Sequence, residues 1–275
     1  MNIYRDLLKL QKIEGSFQRW EEYRREITNK IINSVKCFEN IVIFGAGCCN
    51  DLDLSLIEKK FDQITLVDID CLSMKEGLKK YSLVDSDKIK LATIDLLGIT
   101  ENDYLEYSRI IETTLLSSKS SIVDSRSIVD KLTVFSNKIN NHKIDLGSIK
   151  YKNGIVICLH SQINIYFAEI WNIYCQAFSK TDNLSVIEKI MKMNEEVARK
   201  INDFILQNVD GNVYFGFETE IVGLKRRIEG AYQAENDFQK RKASREIEYV
   251  DLIQVKWPLK IDCTYNVKLA QIITG

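Results

Sequence analysis

Apolar residues near the start of the chain recur at steps of three and four. Trp20, Tyr23, Ile27, Ile31 and Val35 form one stripe, the spacing that lines a single face of a helix, so residues 1–36 are expected to be helical. The pattern changes at Ile41–Phe44, a short continuous apolar run that predicts a buried strand, and a helix is expected from about 50 to 60. A second run, "QITLVDID" (63–70), is β-branched and apolar until Asp68, which suits a strand covered on both faces. "CLSMKEGLKKY" predicts a helix and "KIKLATIDLL" a third strand. Strand, helix, strand, helix, strand in this order implies right-handed crossovers and an α/β sheet.

The alternation then pauses. Tyr104, Tyr107, Ile111 and Leu115 fit one helix, "SSKSS" (117–121) a loop, and Ile128, Leu132, Phe135 and Ile139 a second helix. A plain crossover needs far fewer residues, so 100–150 is expected to be a helical insertion. "GIVICLH" (154–160) resumes the sheet. Ile163, Tyr166, Phe167, Ile170, Trp171 and Tyr174 predict a helix, and the stripe from Ile187 to Phe204 another, with Ser185 and Glu188 at capping-box spacing. "NVYFGFETEIV" (212–222) is strand-like, 223–245 is charged helix and loop, and two closing strands, 247–257 and 264–274, are expected to join at a turn at Pro258. No internal repeat and no Gly/Ser-rich linker breaks the chain, so 1–275 is expected to be a single domain, with 1–36 and 100–150 as additions to its core.

Composition narrows the class. The 275 residues are 45% hydrophobic and 28% charged, ordinary for a globular chain, and the net charge of -1 gives no overall positive field to hold nucleic acid. No segment is apolar for the length a membrane helix needs, and the N-terminus lacks the apolar core of a signal peptide. Seven cysteines without a C-x-x-C pair point to reduced thiols in the cytoplasm, not to a disulfide or zinc framework.

The chain has only twelve glycines, yet Gly45 and Gly47 both follow the first strand, in "IVIFGAGCCNDLDL" (41–54). A glycine turn between strand and helix lets a polar ligand approach backbone N–H groups at the positive end of a helix dipole. Asp68, at the tip of the second strand, stands where a carboxylate accepts both hydroxyls of a ribose. Together they indicate a nucleoside-containing ligand; the bland reading is a tight turn without one. A nicotinamide dinucleotide would favour G-x-G-x-x-G, but Asn50 occupies the third position.

"IVIFGAGCCNDLDL", "ITLVDID", "IKLATIDLL" and the two closing strands resemble the class I S-adenosylmethionine-dependent methyltransferases, over roughly 38–99 and 153–275. The resemblance implies a Rossmann-like three-layer sandwich: a mostly parallel seven-stranded sheet, a C-terminal antiparallel strand pair, and added N-terminal and inserted helices. It implies S-adenosyl-L-methionine as cofactor. Gly45 and Gly47 would line its methionine part; Ala46, Asn50 and Asp51 are further candidates for cofactor contact, Asp51 through water, although an acidic residue in a helix's first turn also suits the dipole alone. Asp68 would hold the ribose, with Ile69 beside the adenine. Asp95 would meet the adenine amine, with Leu96 beside it. Leu159, His160 and Ser161 would face the sulfonium and the acceptor. The family pattern often has an acidic residue before the first glycine and a third glycine; here stand Phe44, and Cys49 or Asn50.

Methyl transfer from a sulfonium needs positioning and exclusion of water, and a base only where the acceptor carries an inconvenient proton. His160 is the candidate catalytic residue, because it follows a buried strand at the carboxyl end of the sheet; the alternative is a histidine satisfied by backbone. Gln162 and Asn164 could orient an acceptor, Tyr166 could wall the pocket, and Trp20 and Tyr23 are expected in a helical cap formed by 1–36 and 100–150. Methylation of an exocyclic base amine or of cytosine carbon would resemble proline-containing motifs, and the lone Pro258 supplies neither, so a small-molecule acceptor is expected. The basic runs at 225–227 and 240–242 read as a solvated face. No metal, nucleic-acid or membrane partner is expected, and the oligomeric state is open. The alternatives are an aminoalkyl transferase of the same fold, a nicotinamide-dependent oxidoreductase and a non-catalytic nucleoside-binding protein.

Overall fold

A computed structural model describes residues 3–10, 13–118, 124–180, 184–224 and 226–274. Residues 119–121 of the expected SSKSS loop and Lys225 of the first basic run lie outside them. The chain begins with α1 (Ile3–Leu10). The helical segment expected over 1–36 is interrupted at Gly15, which adopts left-handed backbone (φ 69°), and α2 (Ser16–Arg19) and α3 (Glu21–Ser34) follow it. Glycine takes that conformation without a Cβ penalty. After β1 (Asn40–Phe44), the next helix starts later than expected, as α4 (Leu54–Lys60). Asp53 is its N-cap and accepts from the Leu56 N–H at 3.2 Å, so residues 45–53 are loop.

β2 (Gln63–Asp68), α5 (Cys71–Lys80) and β3 (Ile89–Thr93) follow in the expected order. α6 (Glu101–Ser117), opened by a Thr100–Asp103 capping box, and α7 (Arg126–Asn141) are the two expected inserted helices. β4 (Tyr151–Ile157) begins three residues earlier than its apolar run, and His160 lies beyond it in a 3-10 turn, His160–Gln162. α8 (Ile165–Ala177) and α9 (Leu184–Asn208) come next. Ser185 lies inside α9, where its hydroxyl meets that of Ser125 at 3.0 Å in place of the expected cap role. The chain ends with β5 (Val209–Ile221), the two-residue β6 (Arg226–Arg227), α10 (Glu229–Ala243), β7 (Ile247–Lys260) and β8 (Cys263–Thr274).

Pro258 does not make the closing turn. It lies within β7, in a stretch where the register shifts between Trp257 and Lys260, and residues 261–262 turn the chain into β8. β7 is an edge strand, where a missing N–H is tolerated.

The sheet order is β3-β2-β1-β4-β5-β8-β7, with β6 paired to β5 off this path. β1 to β5 pair in parallel; β8 runs antiparallel to both β5 and β7. The α/β architecture is therefore a mostly parallel seven-stranded path with an antiparallel C-terminal pair. Every residue of β1 is buried, as covering on both faces requires.

The chain falls into two compact units. The sheet unit comprises Glu14–Leu96, Ile144–Ser161 and Ile201–Gly275. The helical unit comprises Met1–Ile13, Leu97–Lys143 and Gln162–Lys200, so it draws on more of the chain than the insertion at 100–150. The division also falls inside the expected N-terminal segment, and Trp20 and Tyr23 belong to the sheet unit. Within the helical unit Tyr4 stacks on Tyr104 at 4.5 Å, and Tyr107, Phe135 and Phe167 close an aromatic core. No helix among the described residues is long and apolar enough to cross a membrane.

Candidate functional site

The loop after β1 lies at the carboxyl ends of the parallel strands, where α/β sheets bind ligands. Gly45 has φ 66°, and a Cβ there would lie 2.8 Å from the Leu159 side chain. Gly47 has φ 47° with nothing within 4 Å of a Cβ position, so its outer side is open. The Gly47 N–H donates to Asp68 Oδ2 at 2.9 Å, and the Asp70 N–H donates to Oδ1 at 2.9 Å. Each carboxylate oxygen keeps capacity for a second donor. Ile69 next to it is 60% exposed, an apolar side chain held at the surface beside a charged group. The Ile94 N–H donates to the Asp68 carbonyl at 3.0 Å, which sets the partly exposed Asp95 and Leu96 directly beyond this contact. The structure thus brings Gly45, Ala46, Gly47, Asp68, Ile69, Asp95, Leu96 and Leu159 to one end of the sheet.

Asn50 has another task. Its amide donates to Ser16 Oγ at 3.1 Å, and its side-chain oxygen accepts from Lys80 at 3.2 Å. It ties the loop to α2 and α5. Tyr81 donates to the Leu52 carbonyl at 2.6 Å, and the Asp53 N–H donates to Thr28 Oγ1 at 2.8 Å. Arg24, buried and stacked 4.2 Å over Phe17, donates to the carbonyls of Phe17 and Asn50. Gly77 on α5 completes the support: a Cβ there would meet the Cys48 carbonyl oxygen at 2.7 Å. It lets helix and loop pack closely, the task a third loop glycine would serve.

A small cleft opens beside the glycines. Gly45, Ala46, Cys49, Asp51, Leu52 and Ile157 line it, and its volume of about 10 Å³ is room for one water molecule. Asp51 is partly exposed as a residue, but its Oδ1 is shut off from solvent and has no hydrogen-bond partner. Burial pushes its carboxyl from an ordinary 3.8 to about 7; Glu218 adds to the rise and Arg24 opposes it. Burial holds the Cys49 thiol up at about 12, so it remains protonated.

His160 is 2% exposed, and its ring packs near Phe215 and Phe217 at centroid distances of 5.9 and 6.3 Å. Burial lowers the imidazole from 6.5 to about 4, against the opposing influence of Asn202 and Asp237. It is a neutral, packed side chain and does not line the cleft. Its carbonyl instead receives α10 at close range: a Cβ on Gly230 would lie 2.0 Å from it. Ser161 donates to Glu218 Oε1 at 2.5 Å. Trp20 packs edge-on against Trp257 and Tyr23 stacks on it, so both expected cap residues lie on the sheet unit's own β7. Gln162, Asn164 and Tyr166 belong to the helical unit. There Asn164 takes left-handed backbone at the start of α8, and Tyr166 packs edge-on against Tyr104.

Three residues around the site escape a reading of the sequence: Arg24 and Gly77, which support the loop, and Glu218, which lies near Asp51. Only Glu218 left a trace, as a carboxyl inside the apolar run of β5.

No protein-family model matches the chain, and no curated protein sequence matches it. Solved structures similar to it include the N-methyltransferase NodS from Bradyrhizobium japonicum WM9 in complex with S-adenosyl-L-homocysteine, at 9% identity, with all of both chains covered and a TM-score of 0.48. The magnesium protoporphyrin IX methyltransferase from Synechocystis PCC 6803 with the same ligand is similar at 9% identity, over 96% of this chain and 89% of that one, with a TM-score of 0.46. The putative RNA methyltransferase PH1948 from Pyrococcus horikoshii is similar at 7% identity, over 89% of this chain and 79% of that one, with a TM-score of 0.44.

Proposed function

We propose that the chain is an S-adenosylmethionine-dependent methyltransferase acting on a small molecule. The observation that carries this reading is the Asp68 carboxylate, joined to the Gly47 N–H at 2.9 Å at the carboxyl end of the sheet, with open space at Gly47. The residues fit a nucleoside-bearing sulfonium. Asp68 would hold the ribose hydroxyls. The exposed Ile69 and the partly exposed Leu96 would flank the adenine, and Asp95 would receive its amine. Gly45, Ala46 and Gly47 would border the methionine end, and the unpartnered oxygen of Asp51 would take its ammonium. Bound there, the cofactor supplies a methyl group already activated for displacement. The protein's own work is then to orient the acceptor and keep water out.

The test is titration calorimetry with S-adenosylhomocysteine. A charge-assisted hydrogen bond contributes about 1.5–3 kcal/mol, so Asp68→Ala should weaken binding roughly ten- to a hundredfold. A folded variant that binds as tightly as the wild type removes Asp68 from the site and the reading with it.

A further inference from the structure

Glu218 is a charged group that the sheet unit accommodates poorly. It is 4% exposed, Ser161 occupies its Oε1, and its Oε2 has no hydrogen-bond partner. Strand pairing places it at the level of the glycine loop: Phe44 lies opposite Val156, Val156 opposite Phe215, and Glu218 follows three residues on. The β5–β8 register slips between Glu218 and Glu220, which makes Thr219 a bulge residue. Bulges re-aim side chains and gather beside ligand sites. Burial raises the carboxyl above its ordinary value, and hydrogen bonds from Ser161, its own backbone and Cys158 offset that only in part.

Its surroundings are aromatic. The Cys158 thiol lies beside the carboxyl, and Tyr23 Oη lies 3.7 Å from Cys158 Sγ. Tyr23 stacks on Trp257 at 5.8 Å, and Trp257 packs on Trp20 at 4.9 Å and on Tyr265 at 5.8 Å. A buried carboxyl beside stacked rings suits a cation: the carboxylate gives a charge-assisted hydrogen bond and the ring faces an attractive field. Arg24 does not fill that role: its charge acts on Asp51 and is not among the influences on Glu218, and its NH1 donates to two backbone carbonyls.

We propose that Glu218, with the Tyr23–Trp257 layer, binds the ammonium group of a small amine, which is the methyl acceptor. This rests on the methyltransferase reading. Glu218 anchors the ammonium and takes one of its protons; the neutral nitrogen would then form the N–C bond as the methyl's C–S bond breaks and the thioether leaves. Asp51, on the cleft beside the glycines, serves the cofactor's end.

The experiment compares n-butylammonium with 1-butanol, matched in chain length and at equal ionic strength, on protein saturated with S-adenosylhomocysteine. The amine should bind at least roughly tenfold more tightly, the effect of one charge-assisted contact. Glu218→Gln should abolish that preference and leave the affinity for S-adenosylhomocysteine unchanged. Equal binding of amine and alcohol, or binding of neither, overturns the proposal, and this comparison stands whether or not the variant folds. A variant that binds S-adenosylhomocysteine more weakly but 5′-methylthioadenosine, which lacks the amino-acid end, as before also overturns it: Glu218 would then hold the cofactor's own ammonium. If the wild type binds no S-adenosylhomocysteine, the methyltransferase reading fails separately, and the amine comparison on the free protein still reads Glu218.

Discussion

Asp51 and His160 respond to burial in opposite directions, and their pH signatures separate them. The Asp51 carboxyl titrates near 7 in the folded chain and near 3.8 when freely solvated. Between those values the folded state holds the extra proton, so stability is lost as pH rises toward and through 7. His160 titrates near 4 when folded and near 6.5 otherwise, so in that window the unfolded state holds the extra proton and stability is lost as pH falls. Asp51→Asn removes only the first effect. It should raise the melting temperature at pH 8 by the equivalent of roughly 1–3 kcal/mol, by less at pH 5, and hardly at all near pH 3, where the carboxyl is neutral in the folded and the unfolded chain alike. Equal melting of variant and wild type at pH 8 would mean that Arg24 compensates the charge. The glycines and Asp68 were legible in the sequence because their tasks are local: positive φ after a strand, and a carboxylate at a strand tip. Arg24 and Glu218 were not, because each acquires its role from partners far along the chain.

At the scale of the element, strands and helices followed the apolar pattern, and the departures have local causes. Gly15 interrupted the helical segment expected over 1–36, Asp53 delayed α4, and Pro258 stayed within β7 because an edge strand needs no N–H there. Periodicity does not register a φ of 69° or an edge position. Gly77 is the sharpest case. Its sequence neighbours describe an ordinary amphipathic helix, α5, yet its Cα faces the Cys48 carbonyl of the glycine loop. In a free helix Gly→Ala is favourable by roughly 1 kcal/mol. Gly77→Ala should instead destabilise, by about 1–3 kcal/mol in denaturant titration, because the new methyl would sit 2.7 Å from backbone that cannot move without shifting the loop. S-adenosylhomocysteine affinity should fall with it. A variant more stable than the wild type would show that the loop yields, and that Gly77 is not its support.

For the whole molecule, the α/β alternation was legible from the first three strands, and the antiparallel closing pair from the last two. The division into two units was not, since each is assembled from three separate segments and no linker composition marks a boundary. Ligand identity is also read at this scale, because a ligand that binds only the folded chain stabilises all of it. At a hundred times its dissociation constant that stabilisation is about 2.7 kcal/mol, on the order of 5 °C or more in melting temperature for a chain of this size. The loop geometry separates the candidate ligands. A dinucleotide needs its pyrophosphate against the loop N–H groups and a close-packing glycine at the third position. Here the Gly47 N–H is engaged by Asp68, and Asn50 binds Ser16 and Lys80 across that third position. S-Adenosylhomocysteine brings an uncharged thioether and an ammonium to the same place, where the partnerless oxygen of Asp51 lies beside the cleft. Thermal melting with each ligand in turn should therefore show stabilisation by S-adenosylhomocysteine and none by NAD. Asp51→Asn should reduce the response to S-adenosylhomocysteine without touching that to 5′-methylthioadenosine. Stabilisation by NAD alone would make the carboxylate at the tip of β2 the ribose acid of a dinucleotide site, and the methyltransferase reading would fall with the loop argument that supports it.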